Sequence, residues 1–386
     1  MTAPLTPFEE TGEWADLVQE SAFVAQTYNG PQKPLSTHLG TSHNQHPIHA
    51  YTFGQTTGGL LIIASQHGDE PAPREAALQL MRNLAYSTEQ PPVPVTIIPT
   101  PNPDGTEADT RQNGAGDDIN RTHINLTTPE ANAIAAAINK FAPVLIFDGH
   151  EKHSDATLMD FKAYERVTAP PLRTTGNAAK TALQALFAPE DTADHPVNAH
   201  EGTLVNTSNW RGITAMLGES LRYAEPEERV AWNLAVMNEL VEYVKAHKAE
   251  LLAASIEAQE FYAETGYYAH GDYYAYDSGF ISPCLGYLVD SYLEPTLLRL
   301  GARTVATQDV SKLYVPMDQK HSLILPMLLD PRAPRPAFEA EPVFWGDDPP
   351  IDFLAKPDPM RLPTRLDFGG QEPRRLITKE GAVWGT

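Results

Sequence analysis

Apolar positions along this chain gather into short unbroken runs, separated by stretches in which they recur at helical spacing. GGLLIIASQHGDE (58–70) carries five consecutive apolar residues, Leu60 to Ala64, and then His67 and Glu70. A run that short, bounded by glycines, predicts a central strand buried on both faces, which has no polar side to alternate. PAPREAALQLMRNLAYS follows, and its leading prolines and apolar spacing predict a helix from about Pro73 to Tyr86. A β-branched run at 94–99 predicts a second strand. Thr128-Pro129-Glu130 caps a helix through ANAIAAAINKF, and PVLIFDGHEKH then reads as a third strand, ending in His150. Residues 170–188 are helical in pattern, and GITAMLGE (212–219) is a fourth apolar run, ending in Glu219. Residues 226–263 carry long helical periodicity through Val230, Leu234, Met237, Val241, Val244 and Leu251. Strand and helix in alternation predict an α/β fold: a mixed, mostly parallel twisted central sheet with helices on both faces.

The flanking stretches are less regular. A helix is expected from Pro7 to about Gln26, then two strands in 34–53 joined by TSHNQH. His43, His46 and His49, in or beside that turn, read as surface or sheet residues rather than ligands. The polar stretch Thr100–Thr128 is too long for a simple connection, which marks it as functional. Residues 189–212 read as irregular. From Gly266 the composition changes to tyrosines and two proline-bounded runs, GYLVDSYLE and SLILPMLLD, which suggest a smaller β-rich or mixed region. Prolines recur from Pro331 to the end, as in an extended chain lying on a surface. The expected partition is a catalytic domain over 1–263, the smaller region over 264–330 and an extended tail over 331–386.

Composition narrows the partners. The 386 residues carry 50 acidic against 28 basic side chains, a formal charge of −22. That disfavours nucleic acid and anionic membrane surfaces. No apolar stretch reaches the roughly 20 residues of a membrane span. The N-terminus lacks a basic start and an apolar core, and the lone Cys284 excludes an intrachain disulfide, so a cytoplasmic location is expected.

Three of the apolar strands end in chemistry: His67 and Glu70 after the first, Asp148-Gly149-His150 on the third, Glu219 on the fourth. Parallel strands deliver their carboxyl ends to one edge of the sheet, so residues distant in sequence converge there. Two histidines and a glutamate make a three-ligand open zinc site whose remaining position holds water. The other glutamate is then free to be the general base for that water and later to protonate a leaving amine. Arg111, Arg121, His123, Lys152 and His153 form a local positive patch against the acidic background, suited to an anionic substrate such as a terminal carboxylate.

The ordered set HGDE (67–70), NPDG (102–105), TRQN (110–113), GDDINR (116–121), DGH (148–150) and the strand ending in Glu219 resembles the zinc carboxypeptidase family, the carboxypeptidase A-like metallopeptidases or funnelins. The similarity spans roughly residues 5–250 and is closest to the bacterial murein peptide amidases, cytoplasmic enzymes that cut the γ-D-glutamyl–diaminopimelate bond. The resemblance implies one zinc per chain, bound by His67, Glu70 and His150, with Glu219 as general acid/base. It implies that Arg111 polarises the scissile carbonyl, that Asn120 and Arg121 grip the terminal carboxylate of a small anionic peptide, and that Asp118 fixes the His67 tautomer, with Asp148 as a further supporting group. Two features depart from the family. No tyrosine lies between Tyr164 and Tyr223, where many members place a substrate contact, which leaves His200 or Asn206 as substitutes. DINRTHINL replaces the usual DLNRNF. Two other functions compete: an N-acyl amino acid deacylase of the aspartoacylase or succinylglutamate desuccinylase kind, and a catalytically silent binding protein on the same fold.

Overall fold

The structure is a computed structural model that describes residues 2–153, 156–163, 168–195, 202–265, 285–317, 319, 324–331 and 336–343. The chain opens with two helices, α1 (Pro7–Thr11) and α2 (Leu17–Thr27), where the sequence pattern predicts one. Gly12 ends α1 in the left-handed conformation (φ 74°), and Asp16 restarts the chain as α2 with a capping box to Gln19. Strands β1 (Leu35–Thr41) and β2 (Pro47–Phe53) then form the antiparallel hairpin expected of 34–53.

The central elements follow as β3 (Leu60–Ala64), α3 (Pro71–Ala85), β4 (Val95–Ile98), α4 (Pro103–Ala108), a 3-10 turn (Ile119–Arg121), α5 (Pro129–Phe141), β5 (Leu145–Lys152), β6 (Met159–Lys162), α6 (Pro170–Gln184), β7 (Thr192–Asp194), α7 (Leu204–Trp210), β8 (Thr214–Leu221) and α8 (Pro226–Thr265). The sheet order is β1-β2-β4-β3-β5-β8-β6-β7. The middle four strands are mutually parallel, and β6 closes on β8 antiparallel. The unbroken apolar runs are explained by two cores. Leu60, Ile62 and Ala64 turn to the face covered by α3 and α8, whereas Leu61 and Ile63 turn to the face of α5 and α7. Period-two alternation thus buries both sides of one strand.

Tertiary structure orders two stretches that the pattern left open and overturns the irregular reading of 189–212. The polar stretch 100–128 contains α4, capped by the Asn102 side chain on Gly105 N. The stretch 189–212 contains β7 and α7. SLILPMLLD turns helical as α10 (Ile324–Leu329) after β9 (Gly286–Asp290), α9 (Glu294–Arg299), β10 (Val305–Ala306) and β11 (Lys312–Pro316). A second, antiparallel sheet of order β10-β11-β9-β12 takes its edge strand β12 (Ala340–Val343) from beyond Pro331. Its apolar face shares one core with Ile119, Leu126, Ala131 and Trp210 of the larger unit, so it packs behind the turn that carries Asn120 and Arg121. The tyrosines at 267–276, Cys284 and residues 344–386 lie outside the described residues.

Candidate active site

β3 ends at Ala64, and six residues carry the chain to α3. Ser65 takes a positive φ of 53° and its Oγ donates to Glu70 O at 2.5 Å, which folds the HGDE segment into a tight loop. Gly68 is needed there: a Cβ would stand 1.9 Å from the Gly105 carbonyl carbon, so the HGDE loop lies directly on the NPDG turn. The loop points His67 and Glu70 at His150, which β5 supplies from the next strand. His67 Nδ1 lies 2.8 Å from Glu70 Oε1, and His150 Nδ1 lies 2.8 Å from Glu70 Oε2. One ligand atom from each of the three falls within 4.8 Å of the others, and all three side chains are buried.

The far nitrogens of both rings are held. His67 Nε2 is 3.1 Å from Asp118 Oδ1, and His150 Nε2 is 3.0 Å from Asp148 Oδ2. Carboxylates behind both imidazoles fix which nitrogen faces Glu70. Burial disfavours a protonated His150, but Asp148 and Glu70 outweigh it and raise the ring well above its ordinary range; His67 is raised by Glu70 and Asp118 against the same burial. Burial likewise pushes the Glu70 carboxyl up, and the two imidazoles overcome it and hold it far below the usual carboxylate range. The pocket therefore draws positive charge to the space between two imidazole nitrogens and a carboxylate. A zinc ion suits that donor set by chemistry, number and charge.

Glu219 sits opposite His150 in the β5–β8 register and lines the same cavity, of about 270 Å³. Burial pushes its carboxyl up to about 7, against the lowering effect of His150. Arg111 also lines the cavity and is fixed by Asp118, whose Oδ2 accepts from its Nε at 3.0 Å and its Nη2 at 2.8 Å. Arg121 lines the cavity with its Nη1 donating to Asn120 O at 2.7 Å. Asn120 reaches the cavity as well, but its amide is engaged within the protein: Nδ2 faces Asp148 and His150, and Oδ1 accepts from Leu204 N at 2.9 Å.

The rest of the positive patch divides. Lys152 and His153 line the cavity; His153 Nδ1 meets Tyr223 Oη at 3.1 Å and stands apart from the ligand group. His123 is buried against Gln66 Oε1 at 2.6 Å and does not line the cavity. Asn206 is buried in α7 away from the lining, and His200 lies outside the described residues. Among the described residues, six cavity-lining residues escaped sequence reasoning: Glu151, Lys162 on β6, His195 just after β7, Thr203, Val205 and Leu217. His195 Nε2 is 3.7 Å from Glu219 Oε1. For Lys162 the alternation in MDFK was the one available signal, and four residues are too few to carry it.

Residues 31–143 match the family model described as zinc carboxypeptidase. The fold is that of a zinc carboxypeptidase. A metallo-carboxypeptidase from Burkholderia cenocepacia superposes with a TM-score of 0.50 at 19% identity, over 60% of this chain and 70% of its own. Carboxypeptidase A from Helicoverpa armigera gives 0.50 at 16% identity, over 62% and 75%. A metallo-carboxypeptidase from Pseudomonas aeruginosa, in complex with (2-guanidinoethylmercapto)succinic acid, gives 0.50 at 15%, over 61% and 70%. No curated protein matches the chain. The motif resemblance to the zinc carboxypeptidases thus agrees with a family of zinc-dependent metallopeptidases and with its fold. No helix among the described residues is long and apolar enough to cross a membrane.

Proposed function

We propose that the protein is a zinc-dependent hydrolase that cleaves an amide bond beside the free carboxylate end of a small anionic peptide. The observation that carries this reading is the grouping of His67, Glu70 and His150 in one cavity with Glu219, Arg111 and Arg121. When bound, the metal supplies Lewis acidity, which polarises the scissile carbonyl and acidifies water. Glu219 takes the proton that the attacking water gives up and delivers it to the leaving amine nitrogen. Arg111, its guanidinium braced by Asp118, offers N–H groups to the oxygen on which negative charge develops. Arg121 holds the terminal carboxylate by its planar fork. Asn120, its amide engaged by Asp148, His150 and Leu204, supports the clamp through its backbone carbonyl, which accepts from Arg121 Nη1.

The finer proposal is that the peptide is a murein fragment cut at its γ-D-glutamyl–diaminopimelate bond in the cytoplasm. The motif set HGDE, NPDG, TRQN and GDDINR supports it, as does the cationic lining of the cavity. The experiment incubates zinc-loaded protein with L-Ala-γ-D-Glu-diaminopimelate, ordinary L-peptides, N-acetylaspartate and N-succinylglutamate, beside a Glu219→Gln control, with products read by mass spectrometry. Release of a terminal residue from any peptide supports a carboxypeptidase or amidase, and release of diaminopimelate supports the murein version. Cleavage confined to the acyl amino acids moves the protein to the deacylases. Bound zinc without cleavage of any of them favours a silent binding protein.

A further inference from the structure

Glu70 opens α3 and belongs to the metal-binding group at once. Both of its carboxylate oxygens face histidine nitrogens, so its side chain makes no capping hydrogen bond to the helix it begins. A helix leaves its first backbone N–H groups without partners inside the helix, and a capping side chain normally accepts from one of them. In α3 most of those groups are settled locally. Glu70 N donates to His67 O at 3.2 Å, and Pro71 and Pro73 have no N–H to satisfy. Ala72 N is the one that remains, and Ala72 is fully buried.

Its acceptor comes from β5. Ala72 N donates to Glu151 Oε2 at 3.2 Å. His150 and Glu151 are neighbours on that strand and turn to opposite faces, His150 opposite Glu219 and Glu151 opposite Ser220. The strand thus contributes a ligand on one face and a cap on the other. Its backbone joins the two, because Glu151 N donates to Glu70 Oε2 at 3.2 Å. The other carboxylate oxygen of Glu151 is held from α8: Oε1 accepts from Arg229 Nε at 2.6 Å and lies 2.5 Å from Arg229 Nη2. The Arg229 guanidinium lies 5.1 Å from the centroid of the Trp14 ring, which stacks on Phe8. Ala15, next in the chain, is tied to α3 through Glu75 and Arg74. Glu151 and Arg229 are both buried, where losing one partner of an ion pair is costly.

We propose that Glu151 is a positioning residue for the metal: braced by Arg229 and Trp14, it caps α3 in place of Glu70 and so leaves the Glu70 carboxylate free to be a ligand. The inference rests on the metal site of the hydrolase reading and deepens it. Without the Glu151 carboxylate, Ala72 N becomes a buried donor with no acceptor, which is costly. The first turn of α3 then loses its tie to β5, and Glu70 shifts relative to His150. Glu151 touches no substrate in this role; it acts through Glu70 alone.

The test uses full-length protein. Zinc affinity is measured by chelator competition, and cobalt(II) in place of zinc reads the ligand geometry in its visible spectrum. Glu151→Ala combined with Arg229→Met removes the cap and its counter-charge together, so no lone charge is left buried. The expected result is a zinc affinity about 10- to 100-fold weaker than wild type, the scale for a group that orients a ligand, with an altered cobalt spectrum. Glu151→Gln keeps one carbonyl oxygen and should lose less. A purely structural role would lower the melting temperature of the metal-free protein and leave both metal readouts as in wild type, and that result would overturn the proposal. Should the double variant fail to fold, Glu151→Gln decides: a weakened zinc affinity supports the cap, and wild-type affinity overturns it. Zinc held by the wild type and weakened in the variants, without cleavage of any peptide, sinks the hydrolase and leaves the cap standing. Peptide cleavage with wild-type zinc affinity in every variant does the reverse. A wild type that binds no zinc overturns both.

Discussion

The Nδ1 atoms of His67 and His150 stand 3.2 Å apart, each also 2.8 Å from a different oxygen of Glu70. Three donors brought this close, with carboxylates behind both rings, repel or share protons until a cation joins them. The protein is expected to bind about one zinc per chain, and His150→Ala to lose it. Asp148→Asn should keep the ligand set but weaken metal affinity by about 10- to 100-fold, the usual scale for a group that orients a ligand. Metal content by plasma mass spectrometry and a chelator competition read both. Full zinc content in His150→Ala would shift the third ligand to another residue, with His153 the first to examine.

Glu219 shares the cavity with the three ligands and stands outside their group. Glu219→Gln should therefore retain the metal while kcat drops by about 10²- to 10⁴-fold, the range for a lost general base. Activity within a few-fold of wild type would mean that another group carries the proton.

The two arginines should separate kinetically. Arg111 is braced by Asp118 beside the metal ligands, so Arg111→Ala should cost about 10²- to 10³-fold in kcat, as loss of an oxyanion donor does. Arg121→Ala should instead raise KM for peptides with a free carboxylate much more than for their amides. Equal effects on acid and amide substrates would remove Arg121 from the clamp. Gly202 gives an independent handle, because a Cβ there would come within 1.8 Å of Arg121 O. Gly202→Ala should displace the Arg121 backbone and raise KM in the same selective way.

Stability should carry a pH signature from α3. Glu75 is wholly buried; its Oε1 accepts from Ala15 N at 2.9 Å and Arg74 Nη2 at 3.2 Å, and among the described residues Oε2 meets no hydrogen-bond donor. Burial raises its carboxyl above the ordinary 4.5, and the charge of Arg74 only partly offsets this. The folded state then keeps a proton that the unfolded chain has already released, so stability falls as pH rises from the ordinary value through the raised one. Glu75→Gln should flatten that slope. Urea melts at about pH 5 and about pH 7.5 measure it; an unchanged difference between the two pH values would show that Glu75 ionises normally.

The sequence by itself determined the parallel centre of the sheet and the residues on its edge. β3, β4, β5 and β8 are buried on both faces, which forces unbroken apolar runs, and the chemistry begins where those runs stop, at His67, His150 and Glu219. The metal-centred motifs were legible for the same reason: HGDE and DGH follow directly on such runs. Tertiary structure alone decided the rest. The helix predicted over Pro7 to Gln26 breaks because Gly12 and Asp16 cap opposite ends of two shorter ones. α7 is almost wholly buried, so packing rather than local pattern holds a helix in a stretch that reads as irregular. The amide of Asn120 is committed to Asp148 and Leu204, and no property of GDDINR announces that. Lys162 becomes a cavity residue only through the register of a four-residue strand against β8. Register is set by hydrogen bonds and packing between segments more than fifty residues apart, and a shift of one residue would turn Lys162 to the opposite face.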